Sequence, residues 1–225
     1  MLARPLGYGR VGIGCMVMYD ATALQTIDAV DQYHGVLGFS EGAHSEGFDF
    51  LASATGAITD TANNGGVLRC TDVAHGLTTG QYITQTGMGD ALHVGSTRVT
   101  VITEDVYDCD NIAYNSIGDT GNWQRGSSLT VQTGFEGTYV FSFSCSWSSA
   151  AVLKNYKFEP VVNNVDSDEI VFESKIGTAN DLASSGAGGH EVLAARDVIW
   201  LQMKGTTDNT NATLRQANFH ATLVR

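Results

Sequence analysis

The sequence predicts an all-β protein, and three observations carry that expectation. Residues 137–147 alternate strictly, with Tyr139, Phe141, Phe143, Cys145 and Trp147 on one face and Ser142, Ser144 and Ser146 on the other. The chain holds 26 Gly but only 2 Pro, a balance that favours tight turns between strands over Pro-rich linkers. A helical reading is available for residues 21–30, but Thr22, Thr26 and Ile27 suit a strand equally well. With 43% hydrophobic residues the 225-residue chain can bury a real core, whereas 16% charged residues are too few for a coiled coil or a charge-expanded chain.

Taken in order, residues 1–19 read as an N-terminal arm leading into a strand. The apolar run 11–19 follows Arg4 and Arg10, but it is short, contains Gly12 and Gly14, and lacks the leucine-rich centre of a secretion signal. No run is long enough to span a bilayer, so a cytosolically made protein is expected. Between Gly56 and Gly126 the texture changes to short strands (67–70, 81–86, 98–103) separated by turns. One turn contains His75, Gly76 and Gly80, another Gly87 to Asp90, and residues 53–126 are expected to form a compact small β-barrel. Residues 127–225 return to longer strands. In 197–203, Val198 and Trp200 fall on one face and Ile199, Leu201 and Met203 on the other, so this strand needs two covering surfaces. A neighbouring subunit in a closed cyclic oligomer is the expected source of the second. The last strand, through Phe219, is expected to be paired.

Acidic residues outnumber basic ones 24 to 12, a net charge of −12, which excludes non-specific nucleic-acid binding and an anionic membrane surface. Cys15, Cys70, Cys109 and Cys145 show no metal or disulfide-framework spacing and read as small core residues, with a Cys70–Cys109 bridge as the alternative. His34, His44, His75, His93, His190 and His220 are dispersed and form no metal-ligand motif. The run 184–189 beside His190 and Glu191 lacks a G-x-S-x-G elbow and reads as a flexible loop between strands. Asp166, Asp168 and Glu169 lack the spacing and glycine of an EF-hand and read as a solvated loop. Gly7, Gly9 and Gly12 form a G-x-G-x-x-G with no strand before it. No catalytic residue, metal ligand or cofactor is assigned, and a non-enzyme is expected. Trp123, in a turn-rich stretch, is the tryptophan expected at the surface.

Three motifs in the C-terminal third, beginning at Gly137, Asp197 and Asn218, resemble in order those of the jelly-roll shared by tumour necrosis factor and the complement globular head. Arg196 stands where that family has Gly, which predicts a different turn before Asp197. The middle segment around His75-Gly76-Leu77 and Gly80 resembles an "HGL-x-x-G" β-module of bacteriophage virion proteins. Residues 31–39 and the Gly47-Phe48-Asp49-Phe50 strand are similar to the opening of phage jelly-rolls. Together these imply a TNF-like jelly-roll sandwich made of 20–52 and 127–225, with the 53–126 barrel inserted in a loop. They imply a phage virion structural protein, a homotrimer that decorates the head as a cement or head-fibre protein. It would be assembled in the bacterial cytoplasm and sit on the virion surface against the major capsid protein or another virion protein. Candidates for the trimer interface or core are Tyr139, Phe141, Phe143, Val198, Ile199, Trp200, Leu201, Met203 and Phe219. Candidates for docking on the capsid are Arg4, Tyr8, Arg10 and Tyr19. The alternative is a tail-fibre tip that recognises a host surface glycan through aromatics around Trp123. A polysaccharide-cleaving enzyme would need paired carboxylates in a groove, and a secreted cytokine-like ligand would need a signal peptide.

Overall fold

The structure, a computed structural model, describes residues 11–19, 22–27, 30–116, 118–163, 165, 170–224 and the backbone of 166. Its regular structure is β throughout, with one short 3₁₀ turn at Ala91–His93. The chain enters on β1 (Ile13–Met18), passes through the short β2 (Ala23–Gln25), β3 (His34–Gly35) and β4 (Ser40–Glu41), and reaches β5 (Phe48–Leu51). Seven strands follow: β6 (Ala54–Ile58), β7 (Asp60–Asn64), β8 (Val67–Thr71), β9 (Tyr82–Thr86), β10 (Gly95–Thr103), β11 (Val106–Ala113) and β12 (Gly121–Arg125). The remainder comprises β13 (Ser128–Val131), β14 (Gly137–Ser149), β15 (Lys154–Val162), β16 (Val165–Asp166), β17 (Phe172–Ile176), β18 (Ala183–Leu193), β19 (Val198–Gly205) and β20 (Ala212–Val224).

Two antiparallel sheets form a sandwich. One runs β18-β14-β20-β1-β4, the other β16-β15-β19-β13-β5, with β17 beside β15. From β13 to β20 the chain passes repeatedly from one sheet to the other, as in a jelly-roll. The period-two face of β14 points inward, where Phe141 meets Phe219 edge-on at 5.3 Å between ring centres. Trp147, Phe158 and Phe172 pack together deeper in, with Trp147–Phe158 at 4.9 Å and Phe158–Phe172 at 5.0 Å. Tyr139, Phe143, Ile199, Leu201 and Met203 complete the same core.

Residues 54–125 build a seven-stranded sheet in the order β6-β12-β9-β10-β11-β8-β7 around a second core of Leu68, Cys70, Val99, Tyr107 and Trp123. Its first and last strands are consecutive in the chain on either side of Thr59, so the sheet curls back on itself. This unit leaves the sandwich after β5 and returns at β13, and these strands pair with Leu51 directly opposite Ser128. The point of departure and the point of return are therefore cross-strand neighbours, and the insertion adds only a hairpin loop to the sandwich.

Asp119 braces the curled sheet. Its carboxylate accepts the backbone N–H groups of Gly89 (2.7 Å), Asp90 (3.1 Å) and Thr120 (2.9 Å) and lies 2.7 Å from His93 Nδ1. Burial disfavours its charge, but the bonds from His93 and from these amides outweigh that and hold its pKa below the ordinary value. In the 75–80 turn, His75 accepts the Leu77 N–H at Nδ1 (2.9 Å) and lies edge-on to Tyr107. Gly76 and Gly80 adopt φ of +63° and +97°, a region that other residues enter at a cost.

Several expectations are corrected. The second half of the expected arm is a strand: β1 pairs with β20 from Ile13↔Thr222 to Met18↔Ala217, and Met16 and Met18 are buried, so this part of the chain belongs to the sheet. Of the docking candidates, Tyr19 is exposed, while Arg4, Tyr8 and Arg10 lie outside the described residues. The side chain of Asp166 and residues 167–169 of the acidic cluster also lie outside them. Residues 184–189 are not a loop but part of β18, paired with β14 along its length. Small side chains are required there because a Cβ on Gly186 would sit 2.6 Å from the Phe143 carbonyl oxygen, and one on Gly189 would collide with Ile170. Trp123 is buried in the inserted core, its indole N–H donating to Asp72 Oδ2 at 2.6 Å. Arg196 adopts φ of +71°, the left-handed conformation that Gly favours. That conformation costs a residue with a Cβ about 1–2 kcal/mol. All four cysteines are buried free thiols, with the Cys70 and Cys109 sulfurs 3.8 Å apart.

Two stability tests follow from these contacts. Phe158→Ala leaves a cavity among three rings and is expected to lower the stability of the sandwich by about 3–5 kcal/mol, measured by urea unfolding. For Asp119 the folded pKa lies below the unfolded one, so its contribution is present above about pH 4 and is lost as pH falls through the folded pKa. Asp119→Asn should lower the melting temperature at pH 7 and show a smaller further loss between about pH 5 and pH 2 than the native chain.

Candidate functional site

Strand β19 is the junction of the two units. Ile199, Leu201 and Met203 enter the sandwich core, and Trp200 faces the opposite way. Trp200 nevertheless keeps only 7% of its surface exposed. Tyr82 of the inserted unit stacks on it, with ring centres 4.9 Å apart and planes 25° from parallel. The second covering surface of this strand is thus supplied by the same chain, not by a neighbouring subunit. Tyr82 also donates its hydroxyl to the Asn163 carbonyl at 3.0 Å, tying the inserted unit to the end of β15. Gly35 and Gly126 meet nearby, where a Cβ on Gly35 would lie 2.7 Å from the Gly126 nitrogen. Val198, half-buried, lies beside this junction.

The outer face of the other sheet has a different character. Its three strands β18, β14 and β20 align in five rows: Val192–Thr138–Val224, His190–Val140–Thr222, Gly188–Ser142–His220, Gly186–Ser144–Asn218 and Ser184–Ser146–Gln216. None of these residues is Asp, Glu, Lys or Arg, although the chain carries 36 such residues by the sum of 24 and 12. Arg215, extruded by a bulge in β20, stands just past the last row. At the other end Val192, Val140 and Val224 are 76%, 36% and 44% exposed, an apolar group with no cover among the described residues. Ser184 and His190, six residues apart on one extended strand, are separated by about 20 Å and form no nucleophile–base pair.

Between the inserted unit and the sandwich lies a cleft of about 430 Å³. On one side Arg98 stands directly across the strand pair from Tyr82; on the other, Trp200 stands across from Ser128 and Val198 across from Thr130. The Arg98 guanidinium lies beside Gly80, where a Cβ would stand in ordinary contact at 3.4 Å from Nη2. Arg125 and Arg196 also line the cleft, and no Asp or Glu does among the described residues. Arg125 is nine-tenths buried. Its Nη1 donates to Gln81 Oε1 (2.8 Å) and its Nη2 to the Ala52 carbonyl (3.0 Å), while Nε has no partner. Both acceptors are neutral, and burial pulls its pKa down from the ordinary arginine value.

Of the residues singled out in the sequence, Tyr139, Phe141, Phe143, Ile199, Leu201, Met203 and Phe219 come together in the sandwich core. Trp200 belongs to the junction, and His75, Gly76 and Gly80 to the inserted unit's turn. Sequence reasoning missed Tyr82, Arg98 and Arg125, and their positions far apart in the chain give no local signal. Among the described residues no cluster of three or more His, Cys, Asp or Glu is placed to hold a metal ion.

No protein-family model matches the chain, and no curated protein matches it in sequence. Solved structures with similar β architecture include the Eiger TNF of S. frugiperda (7% identity over 76% of this chain and 93% of that one, TM-score 0.32). They also include the VP2 subviral particle protein of infectious bursal disease virus (8% identity, 95% and 71% covered, TM-score 0.26). A third is the insecticidal delta-endotoxin Cry8Ea1 of Bacillus thuringiensis (6% identity, 94% and 53% covered, TM-score 0.28). Likenesses this distant carry nothing about function.

Proposed function

We propose that this chain is a structural protein of a bacteriophage particle, a non-enzymatic homotrimer that decorates the virion surface as a cement or head-fibre protein. The observation that carries the reading is the uncharged face of β18, β14 and β20. A chain of net charge −12 repels its own copies over most of its surface, and this face is where copies can meet without desolvating or opposing charges. Depletion of charged side chains is also the compositional mark of an interface core. Its serines and glycines let backbones approach closely, and contact would cover the exposed valines 140, 192 and 224. Closed three-fold symmetry is the arrangement that the resemblance to the tumour necrosis factor jelly-roll implies. It would leave the inserted unit and its cleft outside the contact.

Docking on the head is assigned to the segment before β1, with Arg4, Tyr8 and Arg10 as its cationic and aromatic groups and Tyr19 beyond the strand. The major capsid protein or another virion protein is the partner. Because β1 starts at Ile13 and Gly12 already accepts the Leu223 N–H at 2.8 Å, a deletion that tests the arm and spares the sheet stops at residue 10.

Light scattering on the purified chain should give the mass of a trimer. Ser142→Glu combined with Ser144→Glu should give a monomer with an unchanged circular dichroism spectrum; a monomeric native chain, or a charged variant that stays trimeric, overturns the assignment of this face. Deletion of residues 1–10 should leave the trimer intact and abolish binding to heads stripped of the protein. Retained binding removes the docking role of the arm.

A further inference from the structure

We infer that the cleft between the inserted unit and the sandwich is a binding site for an acidic saccharide, a short glycan bearing carboxylates such as uronic-acid units. The chain has 12 basic residues against 24 acidic ones, yet three arginines converge on this cleft and no carboxylate lines it among the described residues. Arg125 is the central observation. A guanidinium nine-tenths buried and bonded only to neutral oxygens is an uncompensated charge inside the protein, which is costly unless an anion completes the site. Arg98 and Arg196 are exposed at the rim, where they can meet an incoming anion.

Saccharide is favoured over a bare inorganic anion by the rest of the lining. The stacked Tyr82–Trp200 pair supplies an apolar aromatic wall, and Thr84, Ser96, Ser128 and Gln124 supply neutral donors and acceptors suited to hydroxyl groups. The volume, about 430 Å³, lies within the range of roughly 300–1,000 Å³ typical of small-ligand sites. Arg196 offers a clean handle on the site. It occupies a left-handed position that Gly would adopt without strain, so its guanidinium can be removed from the rim by a change to Gly at no cost to the backbone.

The inference does not depend on trimer formation or on the place of the protein in a virion. Calorimetric titration of the full chain would compare an oligogalacturonate, a neutral maltooligosaccharide of equal length, and inorganic phosphate. The oligogalacturonate should bind, and weaken as salt is raised. The neutral glycan should bind roughly tenfold or more weakly. Arg196→Gly is the decisive variant, because it relieves the backbone: its melting temperature should equal or exceed that of the native chain while oligogalacturonate affinity falls roughly tenfold. Arg98→Ala should lower the affinity similarly. No binding of oligogalacturonate, or binding unchanged in a variant carrying both substitutions, overturns the site. Phosphate binding as tightly as the oligogalacturonate overturns the saccharide assignment.

Discussion

Strand β19 lies in the interior of its sheet with apolar side chains on both faces, and two surfaces must cover it at once. The sandwich core takes Ile199, Leu201 and Met203. Trp200 on the reverse would otherwise present a large aromatic to water, at a cost of a few kcal/mol by its buried area. The Tyr82 ring meets that need, and it can do so only if the inserted unit leans over this one sheet. The orientation of the insertion is therefore set by a packing requirement of its host, with the Tyr82 hydroxyl bond to the Asn163 carbonyl adding direction to a contact that stacking alone would leave free to slide. The cleft opens beside that contact, with Tyr82 and Trp200 in its lining.

This arrangement gives the molecule two unlike sides. The sheet containing β19 is covered twice, by the core and by the inserted unit, and its outward groups are drawn into polar pairs such as Gln202 with Glu159 at 2.8 Å. Among the described residues the sheet containing β14 is covered once, and along β18, β14 and β20 its open side consists of serine, glycine, threonine, asparagine, glutamine, histidine and valine. The first side concentrates arginine in a recess and the second excludes formal charge, although both belong to an acidic chain. Proposed self-association and proposed ligand binding consequently occupy opposite sides of the sandwich and do not compete for surface.

Much of the architecture was legible in the sequence where side-chain size alternates. Large apolar side chains at every second position from Tyr139 to Trp147, all aromatic but Cys145, mean a half-buried strand, and the change in turn density between Gly56 and Gly126 marked a separate texture. Legibility failed where size contrast vanished. The run 184–189 is all Ser, Ala and Gly, so its alternation is invisible, and the need for small groups comes from the Phe143 carbonyl and Ile170, which are distant in sequence. Trp123 looked like a turn residue because Gly118 and Gly121 precede it, yet its indole is paired to Asp72 across the fold. Trp200 was read correctly as needing a second cover, but no sequence pattern could distinguish a neighbouring subunit from a ring more than a hundred positions upstream. The arginine cleft was wholly illegible, since Arg98, Arg125 and Arg196 meet only through tertiary structure. Arg196 is likewise opaque in sequence, since nothing about an arginine announces the left-handed backbone it adopts.

The pairing of Leu51 with Ser128 makes the base of the insertion an exchange point. Everything between these two residues begins and ends on one rung of the ladder, so a different module could occupy the place without shifting a strand of the host. A lineage built on this sandwich could trade one insertion for another by recombination, at the level of whole modules rather than single residues. Trp200 sets the condition on such trades, because each newcomer would have to bring its own lid for the same ring.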